Sequence, residues 1–306
     1  MSHAAHSLRY RVWLLAFSIF ASATPSTQAQ TQASCTFKLF LLNPANPTNP
    51  AIVQVVGVNA FATVVGTAQV KSMGLRGFIR YSGGGVTYFD APNAVGLTGF
   101  TARNNQGVSV GFYSQQFSPS NNGPSNGFML SGSSFTPIIH PSGVNGTILT
   151  GINKYTSIVG YYVDGNDNIH GFKRWSNGSF ISPNYPGVGL TIPYAINDDG
   201  TMVGSYYPVS TPLGHGFIYH NGQWATLDYP NAAGTELWGI SRTGVIIGHD
   251  LSFTPPRSFL YLNGTFKIIN VPNALSTYVT GISSRGLIAG TVRMTDGDHG
   301  FTATCQ

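Results

Sequence analysis

Along the chain, short runs of alternating apolar and polar residues are cut at regular intervals by Gly, Pro, Asn-Gly and Asp-Gly, and no helical apolar spacing interrupts them. The stretch near residue 200 is the clearest. An apolar run at 194–197 meets the turn Asp198-Asp199-Gly200, a second run covers 201–207, a third 215–220, and the tight turn Asn221-Gly222 leads into a fourth at 223–229, which Pro230 ends. The pattern predicts four short antiparallel strands.

That unit is written six times. Segment 195–206 has counterparts at 102–113, 151–162, 239–250 and 281–292, and a weaker one from Gly57; each is followed by Gly-Phe. The second glycine of the motif falls at Gly66, Gly111, Gly160, Gly204, Gly248 and Gly290, a spacing of about 45 residues. Six copies fill the chain from Cys35 onward, so residues 35–306 read as one domain. Four strands per copy, six copies in all, predict an all-β, six-bladed β-propeller; a β-sandwich would not need six equivalent units. The repeated glycine lies inside the second strand, where a missing side chain marks a close approach, and it reads here as blade-to-blade packing.

The ends point to a closed ring. The last copy stops after its third strand, while residues 37–44 resemble the fourth strand at 266–272, so the N-terminal strand completes the sixth blade. Cys305 and Cys35 then stand where other copies place the neighbouring Asn and Gly of the hairpin turn. A Cys35–Cys305 disulfide is expected to replace that turn, contributing about 5 kcal/mol in the chain-entropy account.

Composition narrows the setting. Charged residues are only 8% of the chain against 42% apolar, with 38 Gly, which excludes a coiled coil and a highly charged disordered chain. Arg9 and Arg11, the apolar run 12–23 and the small residues up to Ala29 form a secretory signal, residues 1–29, with Ala33 the next cleavage choice. Its removal takes two cations from the formal +5, and no nucleic-acid footprint remains. The apolar run is too short to span a bilayer. A rival reading makes Ala33-Ser34-Cys35 a bacterial lipobox, although Gln32 stands where that signal wants Leu. The expectation is a secreted monomer, extracellular or periplasmic, without a cofactor.

The motif Gly-Ile-Asn-x-x-x-x-Ile-Val-Gly-x-Tyr, followed by His-Gly-Phe and Pro-x-Ala-x-x-Thr, resembles the repeat of bacterial secreted proteins known as the HAF-repeat family. The name-giving triplet reads His-Gly-Phe at His170, His215 and His299, while Arg76, Asn126 and Ser258 replace the histidine elsewhere. The resemblance implies secretion and a repeat architecture and assigns no chemistry.

The catalytic motifs dissolve into the repeat. Gly107-Val-Ser-Val-Gly111 matches a nucleophile elbow, yet Ser109 occupies the place of Met202, Ile246 and Ile288 inside a strand. The His-Gly-Phe histidines occur one per blade and read as framework hydrogen bonds rather than a shared metal site. Asp164 and Asp167, in a loop rich in oxygen ligands, are a calcium candidate that lacks the bidentate Glu; a solvated loop is the favoured reading. Thr98, Thr147, Thr191, Thr235 and Thr277 recur at one position and read as loop-to-backbone hydrogen bonds.

Departures from the repeat carry more information. Arg103 stands where other copies have Val58, Ile152, Ile196, Ile240 and Ile282, and Tyr194 and Trp238 stand where others have Val56, Thr101, Thr150 and Thr280. With Tyr185, Tyr229 and His215 they are the candidate ligand-binding residues, expected on the face of the long loops 114–126 and 164–170. The favoured function is a non-catalytic extracellular binding or scaffold module for a glycan or protein ligand; the alternative is a glycan-active hydrolase or lyase. A hydrolase normally needs two carboxylates. Asp90, Asp228 and Glu236 are the only acids available on that face's connections, and the first two share one repeat position.

Overall fold

Each copy of the repeat folds into a four-stranded antiparallel sheet, and six such sheets stand around a common axis as a six-bladed β-propeller. The computed structural model describes residues 31–43, 51–71, 74–115, 125–209, 211 and 213–306. The expected signal, residues 1–29, and most of the 114–126 loop lie outside the described residues. The inner strands of blades 1 to 6 are Ala51–Val58, Thr98–Arg103, Gly146–Ile152, Leu190–Ile196, Thr235–Ile240 and Ser276–Ile282. Blade 6 has the order expected for closure, because Cys35–Phe40 pairs with Gly297–Cys305 as its outermost strand. No helix long and apolar enough to cross a membrane occurs among the described residues.

In blade 4 the observed inner strand begins at Leu190, before the expected 194, and the outer strand is only Gln223–Thr226. Pro193 hides the early start in the sequence, since proline in a strand suggests a boundary; here it sits next to a β-bulge, where proline is tolerated. The outer strand stops early because Asp228 turns inward to hydrogen-bond His215 and the Gly216 amide.

Every inner strand carries such a bulge. The ladder slips by one residue just before the motif's first small residue, leaving Val56, Thr101, Thr150, Tyr194, Trp238 and Thr280 without a partner in the second strand. The bulge explains the second-strand glycines differently from the sequence reading. A Cβ at Gly204 would stand 2.0 Å from the Ile192 carbonyl oxygen, and one at Gly160 2.1 Å from that of Ile148. The close approach is therefore to the inner strand of the same blade, not to the next blade. Blade-to-blade contact falls instead on the first-strand glycines: a Cβ at Gly151 would meet the Ala195 Cα and the Tyr194 carbonyl of the next blade, both at 3.0 Å.

The phenylalanines of the Gly-Phe pairs, Phe78, Phe128, Phe172, Phe217, Phe259 and Phe301, are fully buried and anchor one core cluster after another. The five repeated threonines make loop-to-backbone hydrogen bonds, as expected: Thr98, Thr147, Thr191, Thr235 and Thr277 each accept an amide six or seven residues back, in the first part of the loop that leads into their strand. Ring closure is covalent as well as hydrogen-bonded. Cys35 and Cys305 form a disulfide with a Cα separation of 4.1 Å, and they are direct register partners. Blade 6 reaches blade 1 through Thr280 Oγ1, which donates to the Val55 carbonyl at 2.5 Å.

Two predictions follow from these contacts. Gly204→Ala forces a methyl group onto a backbone carbonyl and should destabilise the protein by about 3 kcal/mol or more, whereas Gly222→Ala, at φ +82° with open space around it, should cost about 1 kcal/mol; urea denaturation of the two variants measures the difference. Cys35→Ser should lower the unfolding midpoint sharply while the far-ultraviolet spectrum of the folded state stays that of the wild type, because the disulfide closes a separation of 270 residues and acts mainly on the unfolded chain.

Candidate functional site

The bulge residues form one layer of the ring, and they do two kinds of work. In blades 2, 3 and 6 a threonine hydroxyl ties its blade to the next: Thr101 donates to the Leu149 carbonyl at 2.7 Å, Thr150 to Pro193 at 2.7 Å, and Thr280 to Val55. Blades 4 and 5 carry Tyr194 and Trp238 at this position. Their rings stack in parallel, 3° apart with centroids at 4.8 Å. The tie they omit is made otherwise in one case, since His249 Nε2 donates to the Val279 carbonyl at 3.1 Å.

Around the pair lies a buried polar network. Trp238 Nε1 donates to Glu236 Oε2 at 2.9 Å, and the Tyr207 hydroxyl donates to Oε1 at 3.1 Å. Tyr194 hydrogen-bonds to Tyr207. Glu236, the one glutamate in the chain, is 5% exposed. Burial pushes its pKa up, and the two hydrogen bonds oppose the shift. Burial holds the Tyr194 phenol well above its usual value, helped by Tyr207 and Glu236. His249, cross-strand partner of Glu236, packs 5.5 Å from Trp238 and 6.0 Å from Tyr278; burial lowers its pKa to about 4. The site thus offers a carboxylate whose ionised form is held by two donors, a neutral imidazole and a set of partly buried aromatic rings.

Arg103 lies elsewhere. Expected with Tyr194 and Trp238 on the long-loop face, it is carried away from them because an inner strand runs from that face towards the tight turns, and a residue two places beyond the bulge reaches the opposite end. There it lines a cavity of about 60 Å³ with Ile152, Ile196, Ile240 and Ile282. Its Nη1 donates to Ser109 Oγ at 2.7 Å, its Nε is buried without a partner, and burial lowers its pKa. The cavity is of a size for a few waters and is far below the roughly 300 Å³ of a small-molecule pocket. Beside it the motif asparagines link successive blades: Asn59 Nδ2 donates to the Asn104 carbonyl, Asn104 to Asn153, Asn153 to Asn197 and Asn197 to Ser241.

The remaining candidates sit in the framework. The Tyr185 ring stacks on Tyr206 at 3.8 Å, and both hydroxyls hydrogen-bond Thr226. Tyr229 is buried against Phe259 and Phe266. His215 Nδ1 donates to Asp228 at 2.8 Å, as His170 Nε2 does to Asp164 at 3.0 Å. Asp90 pairs with Arg76 at the repeat position of Asp228. The two aspartates of the calcium candidate already hold protein donors: Asp164 accepts from His170 and the Asn166 and Asn168 amides, and Asp167 from Asn145. Among the described residues, no group of three or more His, Cys, Asp or Glu is placed to hold a metal ion. The Glu236–His249 pairing was missed by the sequence reading, although both residues depart from the repeat, Glu236 where Ile148 and Ile192 stand and His249 where Ser205 and Thr291 stand.

No protein-family model matches the sequence, and no curated protein matches it significantly. Solved structures do resemble the fold. A catalytically inactive virginiamycin B lyase from Staphylococcus aureus with quinupristin superposes with a TM-score of 0.51 at 11% identity, covering 88% of this chain and 99% of that one. A structural-genomics target provisionally assigned as a gluconolactonase gives 0.50 at 10% identity over 90% and 95%, and AofleA from Arthrobotrys oligospora gives 0.50 at 13% over 92% and 85%. At such identities the likeness is one of fold.

His249 makes stability depend on pH. Above about pH 6.5 the imidazole is neutral in both folded and unfolded chains. Between 6.5 and about 4 only the unfolded chain takes up the proton, so stability is fully present above the window and falls through it, by about 3 kcal/mol in all. Glu236, whose pKa is raised, works in the opposite direction at the acid end. Denaturation at pH 7, 5.5 and 4 should show the His249→Gln variant losing less stability on acidification than the wild type.

Proposed function

We propose that the chain is a secreted, non-catalytic recognition module of the HAF-repeat kind, exported by its N-terminal signal and binding an extracellular saccharide or protein at the long-loop end of its axis. The disulfide supports an oxidising compartment. The observation that carries the binding site is the exchange at the bulge: two adjacent blades give up the threonine tie and place a parallel Tyr194–Trp238 pair over a buried carboxylate. Six equivalent blades offer a symmetric surface, and an asymmetric ligand is selected only where they differ. Aromatic rings beside fixed hydrogen-bonding groups suit the apolar faces and hydroxyls of a sugar.

A glycan-active hydrolase or lyase is the second reading, and Glu236 is what favours it, since a buried carboxylate with a raised pKa is suited to proton transfer. Against it, both oxygens of Glu236 are engaged by Trp238 and Tyr207, and the other acids named on that face are tied to Arg76 and His215.

A neutral-glycan array and a pull-down of secreted proteins would identify the ligand. Trp238→Ala should weaken its binding at least tenfold, and Asn263→Gly, in a turn on the opposite face, should leave it unchanged. Product formation from any bound glycan, abolished by Glu236→Gln with binding retained, would replace the module by the enzyme.

A further inference from the structure

The strand directions divide the charges of this protein between its two faces. Four cations sit at or beside the turns that follow the inner strands, Arg103, Lys154, Arg242 and Arg285, and three more end third strands on the same face, Arg80, Lys173 and Arg174. Only two acids, Asp198 and Asp199, share it. The other eight acids of the chain all lie towards the long-loop face, where the cations Arg76, Arg257 and Arg293 are ion-paired with Asp90, Asp250 and Asp298. Among the described residues, none of these seven cations is ion-paired; Lys38 and Lys267 lie level with Lys173 on the outer strands of their blades, and Lys267 Nζ donates to the Gln306 carbonyl at 3.2 Å.

Aromatic rings are interleaved with these cations. Lys154 Nζ lies 4.7 Å from the Tyr155 ring, Lys173 Nζ 5.5 Å from Trp175, and the Arg285 guanidinium 5.9 Å from Phe61. Phe61 is 58% exposed and Tyr155 60%, so the rings stand at the surface beside the charges. Burial also lowers the pKa of Arg80, Arg103, Lys173 and Arg174, and the Nε atoms of Arg80 and Arg103 are buried with no partner. A face with this much like charge and only Asp198 and Asp199 to offset it carries a self-repulsion that an anionic ligand would relieve.

We infer that the turn face is a second binding surface, separate from the long-loop site, and that it takes an acidic polysaccharide. The cations are spread over five of the six blades around the axial mouth, one to three per blade. Exposed rings beside the cations suit a polymer that presents sugar faces together with carboxylates, whereas a nucleic-acid backbone presents closely spaced phosphates, about every 3.4 Å along each strand. Pyranose faces would pack on Phe61 and Tyr155 while carboxylates meet Lys154, Arg242 and Arg285, whose positions on the turn tips leave them reachable.

The test uses the exported full-length protein with polygalacturonate as probe, neutral dextran as control and single-stranded DNA as competitor, by calorimetry at 50 and 300 mM NaCl. Polygalacturonate should bind, weaken at least tenfold at the higher salt, and resist displacement by DNA, while dextran should not bind. The Lys154→Gln, Arg242→Gln, Arg285→Gln triple variant should lose at least tenfold in affinity with an unchanged melting temperature. Arg293→Gln, on the long-loop face, should bind as the wild type does. Absence of binding to polygalacturonate, an equal loss in Arg293→Gln, or tighter binding of DNA would overturn the assignment. Trp238→Ala should leave polygalacturonate binding intact, which separates failure here from failure of the long-loop site.

Discussion

One extra residue in each inner strand governs most of this structure. The bulge turns a backbone carbonyl outward into the second strand, and only glycine there leaves room for it. It also releases one side chain per blade from the ladder. In three blades the released residue is a threonine whose hydroxyl closes an inter-blade hydrogen bond. The second-strand glycines and the threonine ties between blades therefore share one cause.

The same constraint gives the protein its room for specificity. A released residue is free to vary, because the ladder does not need it. Where Trp238 replaces the threonine, His249 supplies the donor to the Val279 carbonyl. Tyr194, Trp238, Glu236 and Tyr207 then form a connected set in which each buried polar group has a partner. The His170–Asp164 and His215–Asp228 pairs hold third strands to adjoining loops.

Closure completes the frame. In blade 6 the third and fourth strands are not joined by a hairpin, because the fourth is Cys35–Phe40. The Cys35–Cys305 bond and the Cys35–Phe40 strand put covalent and hydrogen-bonded links at that joint, and the asparagine chain beside the turns links blades 1 to 5 by a separate route. Blade 5 reaches blade 6 through the Arg242 amide and the Ser284 carbonyl.

The period, the strand punctuation, the six blades, the shared last blade and the disulfide were all legible in the sequence, because each depends on local turn chemistry or on counting positions from one copy to the next. The departures Arg103, Tyr194 and Trp238 were legible too, as breaks in a repeat. Which end of the axis each break occupies was not, since that follows from strand direction and the bulge: Arg103 and Trp238 stand two aligned positions apart in the repeat yet serve opposite ends. The role of the second-strand glycines, the pairing of Glu236 with His249 and the tie from His249 to Val279 required contacts across strands and blades that no single copy contains. The separation of charge was decided by the tertiary structure as well. A formal +5 for the whole chain hides one basic face and one acidic face, because alternate strands carry successive loops to opposite ends of the ring, and only the fold determines where each charge comes to rest.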